Sequence, residues 1–169
     1  DTQARLVIGS GLGDALRHAV PDLQEVDYPR MIECYRQHFL AKDHELKLFA
    51  GVPTLIAELA ARGRLLGVAT GKSRSGLDRA LVQTGLGSYF HATRCADECF
   101  SKPHPAMLEQ LMDELGVDPA CTLMVGDTTH DLQMAKNAGV AGLAVSFGAH
   151  PRAALEGENP LACLHTPHD

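Results

Sequence analysis

No stretch of this 169-residue chain reaches eighteen consecutive apolar residues, so the sequence offers no membrane-spanning helix. No hydrophobic block follows the mixed first eight residues, so no secretory signal pattern is expected in this sequence. No run of Lys and Arg offsets the formal charge of −6, which argues against nucleic acid or an anionic membrane as partner. The five cysteines, Cys34, Cys95, Cys99, Cys121 and Cys163, are odd in number and widely spread, so they do not form a disulfide framework. They point to a reducing, cytoplasmic setting, with Cys34 and Cys121 expected as buried thiols in apolar surroundings. There is no internal repeat and no low-complexity block. The chain begins at Asp1 without an initiator Met, and the expectation is that an N-terminal piece has been removed.

What is present suits one compact domain or a core with a small insert. Apolar residues make up 45% of the chain, enough for a hydrophobic core. Residues 1–48 show helical periodicity and no good strand. Leu12, Leu16 and Ala19 space as a short helix after Gly9-Ser10-Gly11, ended by Pro21. A longer helix is expected from Val26 to Ala41, with Met31, Ile32, Tyr35, Phe39 and Leu40 on one face.

From residue 50 to 148 short β-rich runs alternate with amphipathic helices, the pattern of a parallel α/β sheet. Helices are expected over 52–61 (Leu55, Ile56 and Leu59 inward), through Leu77, Leu81 and Val82, over 105–115 and over 130–138. Strands are expected at 65–69, 91–95, 122–125 and 141–145, with 122–125 the clearest buried one. The last twenty residues read as a frayed helix followed by loop. Ligands in such sheets sit at the C-terminal ends of strands, where Thr70, Lys102 and Asp127 fall or lie nearby.

Asp127 follows an apolar strand and precedes a helix, a good place to hold a hard cation; Asp131, four residues on, can face the same pocket. Oxygen ligands favour Mg²⁺ over zinc. The competing reading is that Asp127 caps the helix. Thr70 and Gly71 offer a hydroxyl and exposed amides at a helix start, an anion site, unless Thr70 or Ser73 is only an N-cap. Lys72 points to solvent or reaches the substrate. Lys102, stiffened by Pro103, could neutralise a phosphate or bridge carboxylates, or be a solvated surface lysine. A cation site, a hydroxyl with an amide nest and a lysine together suit phosphoryl transfer. A weaker alternative is zinc, on His91, Cys95 and Cys99 or on Cys163, His165 and His168.

These segments resemble a known family. Leu66-Gly67-Val68-Ala69-Thr70, Ser101-Lys102-Pro103 and Val125-Gly126-Asp127-Thr128-Thr129-His130-Asp131 are similar, in order and spacing, to the second, third and fourth motifs of haloacid dehalogenase-like hydrolases. The likeness spans about residues 3–148 and is greatest to phosphoglycolate-phosphatase-like members. It implies a Rossmann-like, three-layer parallel α/β core at 49–169 and a partial helical cap at 1–48. It also implies a Mg²⁺-dependent phosphomonoesterase acting on a small phosphorylated metabolite such as 2-phosphoglycolate. By the same resemblance, Thr70 and Gly71 bind the phosphoryl oxygens, Lys102 steadies phosphate and nucleophile, Asp127 holds Mg²⁺, and Asp131 supports the metal or orients Lys102.

The first motif of that family, Asp-x-Asp, supplies the nucleophile and the general acid–base. No Asp in this chain is followed by another Asp two residues on. Asp1, Asp14, Asp22, Asp27, Asp43, Asp78, Asp97, Asp113 and Asp118 all lack the preceding buried strand as well. By resemblance, the strand carrying that motif is central in the sheet. Its absence would leave a gap between the strands at 65–69 and 122–125, with unpaired backbone edges. A strand-supplying partner or fragment is one way to close it. The alternative function is a non-catalytic phosphate-binding or regulatory protein. Oligomeric state is open.

Overall fold

A computed structural model of the chain describes residue 8, residues 11–42 and residues 47–167. Asp1, Asp43, the Gly9-Ser10 part of the first loop and His168 lie outside the described residues, as do the side chains of Phe39 and Leu40.

Two helices open the described chain. α1 (Leu12–Ala19) starts at Gly11 and gives way at Val20, just before Pro21. A 3₁₀ turn at Glu25–Asp27 leads into α2 (Tyr28–Lys42), so the expected single helix from Val26 is a turn plus a helix. The buried Tyr28 ties the pair together: its hydroxyl donates to Val20 C=O at 2.8 Å, and the Arg17 guanidinium stacks 5.2 Å from its ring centre. On α2 only part of the expected apolar face is covered: Met31 and Ile32 are half-buried and Tyr35 is exposed.

The rest is parallel α/β. α3 (Val52–Ala61) begins after Gly51, whose φ of 86° suits glycine. β1 (Gly67–Thr70) feeds α4 (Arg74–Thr84), which Ser73 caps by accepting the Gly76 N–H. β2 (Ala92–Cys95) pairs parallel with β1, Gly67 opposite Ala92 and Thr70 opposite Cys95. α5 (Ala106–Leu115) follows the Lys102 loop, then come β3 (Leu123–Gly126), α6 (Thr129–Asn137), β4 (Ala141–Val145), α7 (Arg152–Gly157) and β5 (Cys163–Leu164). β4 lies between β3 and β5, all parallel. No helix among the described residues is long and apolar enough to cross a membrane.

The sheet is split. β1 and β2 form one sheet and β3, β4 and β5 another; β1 and β3 are not paired. One core spans the split. Met107, Leu108 and Met112 of α5 pack with Met134 and Ala135 of α6, and both Ala69 of β1 and Met124 of β3 rest on them. A second cluster, Leu132, Ala144 and Leu155 with Cys163, fixes α7 and β5. Helices α5 and α6 therefore hold together two sheets that share no strand.

Several expectations are corrected. The strand expected at 122–125 forms one residue later, but it is not buried: Leu123 is 50% and Val125 51% exposed. Its outer edge has no strand beside it among the described residues. Leu55 is exposed, not inward, and α3, though apolar, has no buried residue. Cys34 and Cys121 are exposed, while Cys95 is the buried thiol. Apolar neighbours in sequence did not become apolar neighbours in space. The tail contains a strand, β5, where only helix and loop were expected; a two-residue strand has no periodicity to read.

Candidate active site

Lys102 approaches along a loop stiffened at both ends. The Lys102–Pro103 peptide is cis. Phe100 and His104 stack across the loop at 4.5 Å, and Asn137 of α6 donates to Pro103 C=O at 2.9 Å. Lys102 is almost wholly buried, its Nζ donating to Asp131 Oδ1 at 2.6 Å. The solvated-lysine reading is thus excluded.

Asp131 sits in the first turn of α6, and its other oxygen is also engaged. Oδ2 accepts the Thr128 N–H at 3.1 Å and the Thr128 hydroxyl at 2.7 Å. Thr128 is the helix N-cap, and with Asp131 it forms a reciprocal capping box. Gly126 is packed so closely on the Asp131 side chain that a methyl group there would collide with it. Asp127 is therefore not the cap, which settles one alternative left by the sequence.

The Asp127 carboxylate turns the other way. Oδ2 accepts the Ala149 N–H at 2.8 Å, and Asp127 C=O accepts the His150 N–H at 3.1 Å. The Thr129 N–H donates to His150 Nδ1 at 3.1 Å, so the His150 ring reads the same turn from the other side. These bonds clip the loop after β4 onto the loop after β3. Neither His150 nor the 148–150 loop was singled out from sequence. The capping box was legible as Thr128-x-x-Asp131, the pattern that starts many helices.

Thr70 ends β1, on the other sheet. Its Oγ1 accepts the Lys72 N–H at 3.1 Å, which leaves the hydroxyl proton to point elsewhere. Ser73, not Thr70, caps the following helix. Thr70 thus stands at the C-terminal end of a parallel strand, and Lys102, Asp127 and Asp131 belong to loops or helix starts that follow such ends. Lys102 and Asp131 are in contact; Asp127, four residues before Asp131, is bonded to the 148–150 loop; the Thr70 hydroxyl is bonded within its own loop.

A family model described as "Haloacid dehalogenase-like hydrolase" matches residues 1–145. The chain belongs to this family. Among curated haloacid dehalogenase-like relatives, "Probable phosphatase IndB" of Dickeya dadantii is 42% identical over 120 residues, 70% of this chain and 52% of its own. The "Phosphoglycolate phosphatase" of Synechococcus elongatus is 35% identical over 124 residues, 73% of this chain and 58% of its own. The chain thus spans between half and two thirds of the length of these relatives. A solved structure from Haemophilus somnus, described as a "predicted phosphoglycolate phosphatase", superposes with a TM-score of 0.89 at 22% identity, covering 99% of this chain and 79% of that one. At that identity the likeness speaks for the fold alone.

The donor chemistry can be weighed against a divalent cation of the kind this family uses. Among the described residues no three His, Cys, Asp or Glu side chains converge on one point. His91, Cys95 and Cys99 are therefore not brought together as a metal site, while the grouping of Cys163, His165 and His168 lies partly outside the described residues. Mg²⁺ does not need such a cage: it keeps several waters and takes one or two carboxylates plus substrate phosphate. Asp127, with Oδ1 not used by any bond described, fits that limited demand. Asp131 has both oxygens engaged, one by an ammonium, which suits orienting Lys102 better than direct ligation.

Proposed function

We propose that this chain is the phosphate- and Mg²⁺-handling part of a phosphomonoester hydrolase of the phosphoglycolate phosphatase type. The observation that carries the reading is the buried Lys102–Asp131 pair at the strand ends, together with the Asp127 carboxylate, which a second loop clips in place. An ammonium is buried at such cost only where an anion, permanent or transient, compensates it. In this reading Thr70 donates its free hydroxyl proton to a phosphoryl oxygen and the Gly71 amide adds a second donor. Lys102 neutralises the growing charge on the equatorial oxygens, and Asp131 fixes where its ammonium points. Asp127 would hold Mg²⁺, which screens the phosphate from the surrounding carboxylates when bound. Helices α1 and α2 would serve as part of a cap that recognises the rest of a small substrate, 2-phosphoglycolate first among candidates by relatives' names.

The carboxylate nucleophile this chemistry needs is not supplied by any Asp-x-Asp in the 169 residues. The edges of β1 and β3, which have no strand between them among the described residues, would suit a strand that brings it, whether from the same polypeptide or another. The test is to assay the chain with and without an upstream extension carrying an Asp-x-Asp strand, using p-nitrophenyl phosphate, 2-phosphoglycolate and pyrophosphate with Mg²⁺. Turnover is expected only with the extension, and only while Lys102 and Asp127 are intact. An extended protein that folds and shows no Mg²⁺-dependent turnover would sink the hydrolase reading. The second reading, a non-catalytic phosphate-binding protein, would be left standing by that result if phosphate binding persisted.

A further inference from the structure

The segment 95–98, between β2 and the Lys102 loop, grips the Thr70 loop and the start of α4 at three points. Ala96 N–H donates to Lys72 C=O at 3.1 Å. The Arg74 N–H, in the first turn of α4, donates to both oxygens of Asp97, at 2.9 and 3.1 Å. The Arg74 guanidinium forms a two-pronged pair with Glu98, both bonds 2.8 Å. It also reaches the Thr93 hydroxyl at 2.9 Å on β2. Glu98 in turn accepts the Cys95 N–H at 2.9 Å, so the carboxylate is bound on both flanks.

Four residues beyond Glu98 comes Lys102. The same short turn therefore holds the loop bearing Thr70 and Gly71 and launches the loop bearing Lys102. This matters because β1 and β3 are not paired, so among the described residues no sheet ladder runs from Thr70 to the Asp127 strand. The turn at 95–98 and the α5–α6 core are what relate the Thr70 loop to the Lys102–Asp131 pair. Arginine suits this position because its planar fork fixes direction as well as distance, which a lysine cannot do.

We infer that Arg74, with Asp97 and Glu98, is a positioning set that fixes the Thr70–Gly71 phosphate cradle relative to Lys102. The inference rests on the phosphate-handling reading above. None of the three need touch the phosphate. They act by holding two loops that would both contact it, where misplacement by about 1 Å is enough to lose a large factor in binding or rate.

The experiment measures orthophosphate binding, with Mg²⁺ present, by titration calorimetry on the chain and on Arg74→Lys, Glu98→Gln and Asp97→Asn variants, well below Tm. Thr70→Val serves as the loss control. A partly exposed ion pair adds little to stability, so the variants should fold; Arg74→Lys keeps a cation opposite Glu98 and serves if Glu98→Gln does not. The expected result is a Kd for phosphate raised about tenfold in Arg74→Lys and Glu98→Gln, with Tm little changed. The double variant should be no worse than the worse single one, because both break the same link. Thr70-dependent binding that stays at the parental Kd in these variants, with or without a lower Tm, would reduce the set to a structural clamp and overturn the inference. A parent chain that binds no phosphate, or binds it independently of Thr70, would overturn the phosphate-handling reading, and this inference with it.

Discussion

Lys102 Nζ lies 2.6 Å from Asp131 Oδ1, and less than a tenth of either side chain is exposed. Removing one partner of a buried pair leaves an uncompensated charge in a poor solvent, a loss of about 3–5 kcal/mol. Lys102→Met is expected to destabilise by about that amount in urea unfolding. Asp131→Asn should cost a similar amount, because it also weakens the Thr128 cap. Replacing both, Lys102→Met with Asp131→Leu, should cost less than the sum of the single changes. Additive losses in that cycle would show that the two groups do not depend on each other.

Glu98 gives a pH signature. The Arg74 fork, aided by the Cys95 N–H, holds its carboxyl at about 2 against an ordinary 4.5, with burial opposing. A carboxyl depressed in the fold stabilises it fully above the unfolded value, and that contribution is lost as pH falls. Tm should therefore decline more steeply in the parent than in Glu98→Gln as pH falls from 4.5 towards 2. The effect should be modest, since a third of the Glu98 side chain is exposed and water screens the pair. Parallel Tm curves for the two proteins would contradict the Arg74–Glu98 geometry.

The sequence carried the element order well because each helix–strand unit had its own local signal. Gly85, Gly116 and Gly139, all at positive φ, mark where three helices stop. The fourth motif was legible for the same reason: Gly126, Thr128 and Asp131 make one continuous turn. What was not legible was long-range. Cys121 lies in apolar sequence but ends in an exposed 3₁₀ turn, since burial is decided by neighbours distant in the chain. Arg74 looked like an ordinary helix residue because its partners, Asp97 and Glu98, lie more than twenty positions away. His150 was invisible because its ring meets Thr129 only once β3 and β4 are side by side.

The thiols offer a direct check on that correction. Cys34 and Cys121 are exposed, whereas Cys95 has no exposed surface. Burial pushes the Cys95 thiol up to about 11, partly countered by Arg74, so it is protonated at neutral pH as well as shielded. At pH 8, alkylation followed by peptide mass mapping should find Cys34 and Cys121 modified first. Cys95 should react only after unfolding. Early modification of Cys95 would mean that the 95–98 turn opens readily, which would also undercut its role as an anchor.

The split sheet makes a last prediction that separates β3 from an ordinary buried strand. In a fully covered parallel sheet, Leu123 and Val125 would sit in the core, and a lysine at either would cost several kcal/mol. Here both are half exposed along an edge with no described strand partner, so Val125→Lys should change stability by no more than about 0.5 kcal/mol. Met134→Ala, at a fully buried site of α6, should cost about 2–5 kcal/mol in the same urea titration. An apolar open edge also invites self-association, so Val125→Lys should shift sedimentation towards monomer if the parent associates. The two measurements tie together through the proposed slot. When a strand is supplied beside β3, Val125 becomes covered, and the same lysine should then become strongly destabilising. If the lysine costs several kcal/mol in the chain alone, β3 is already covered and the slot does not exist.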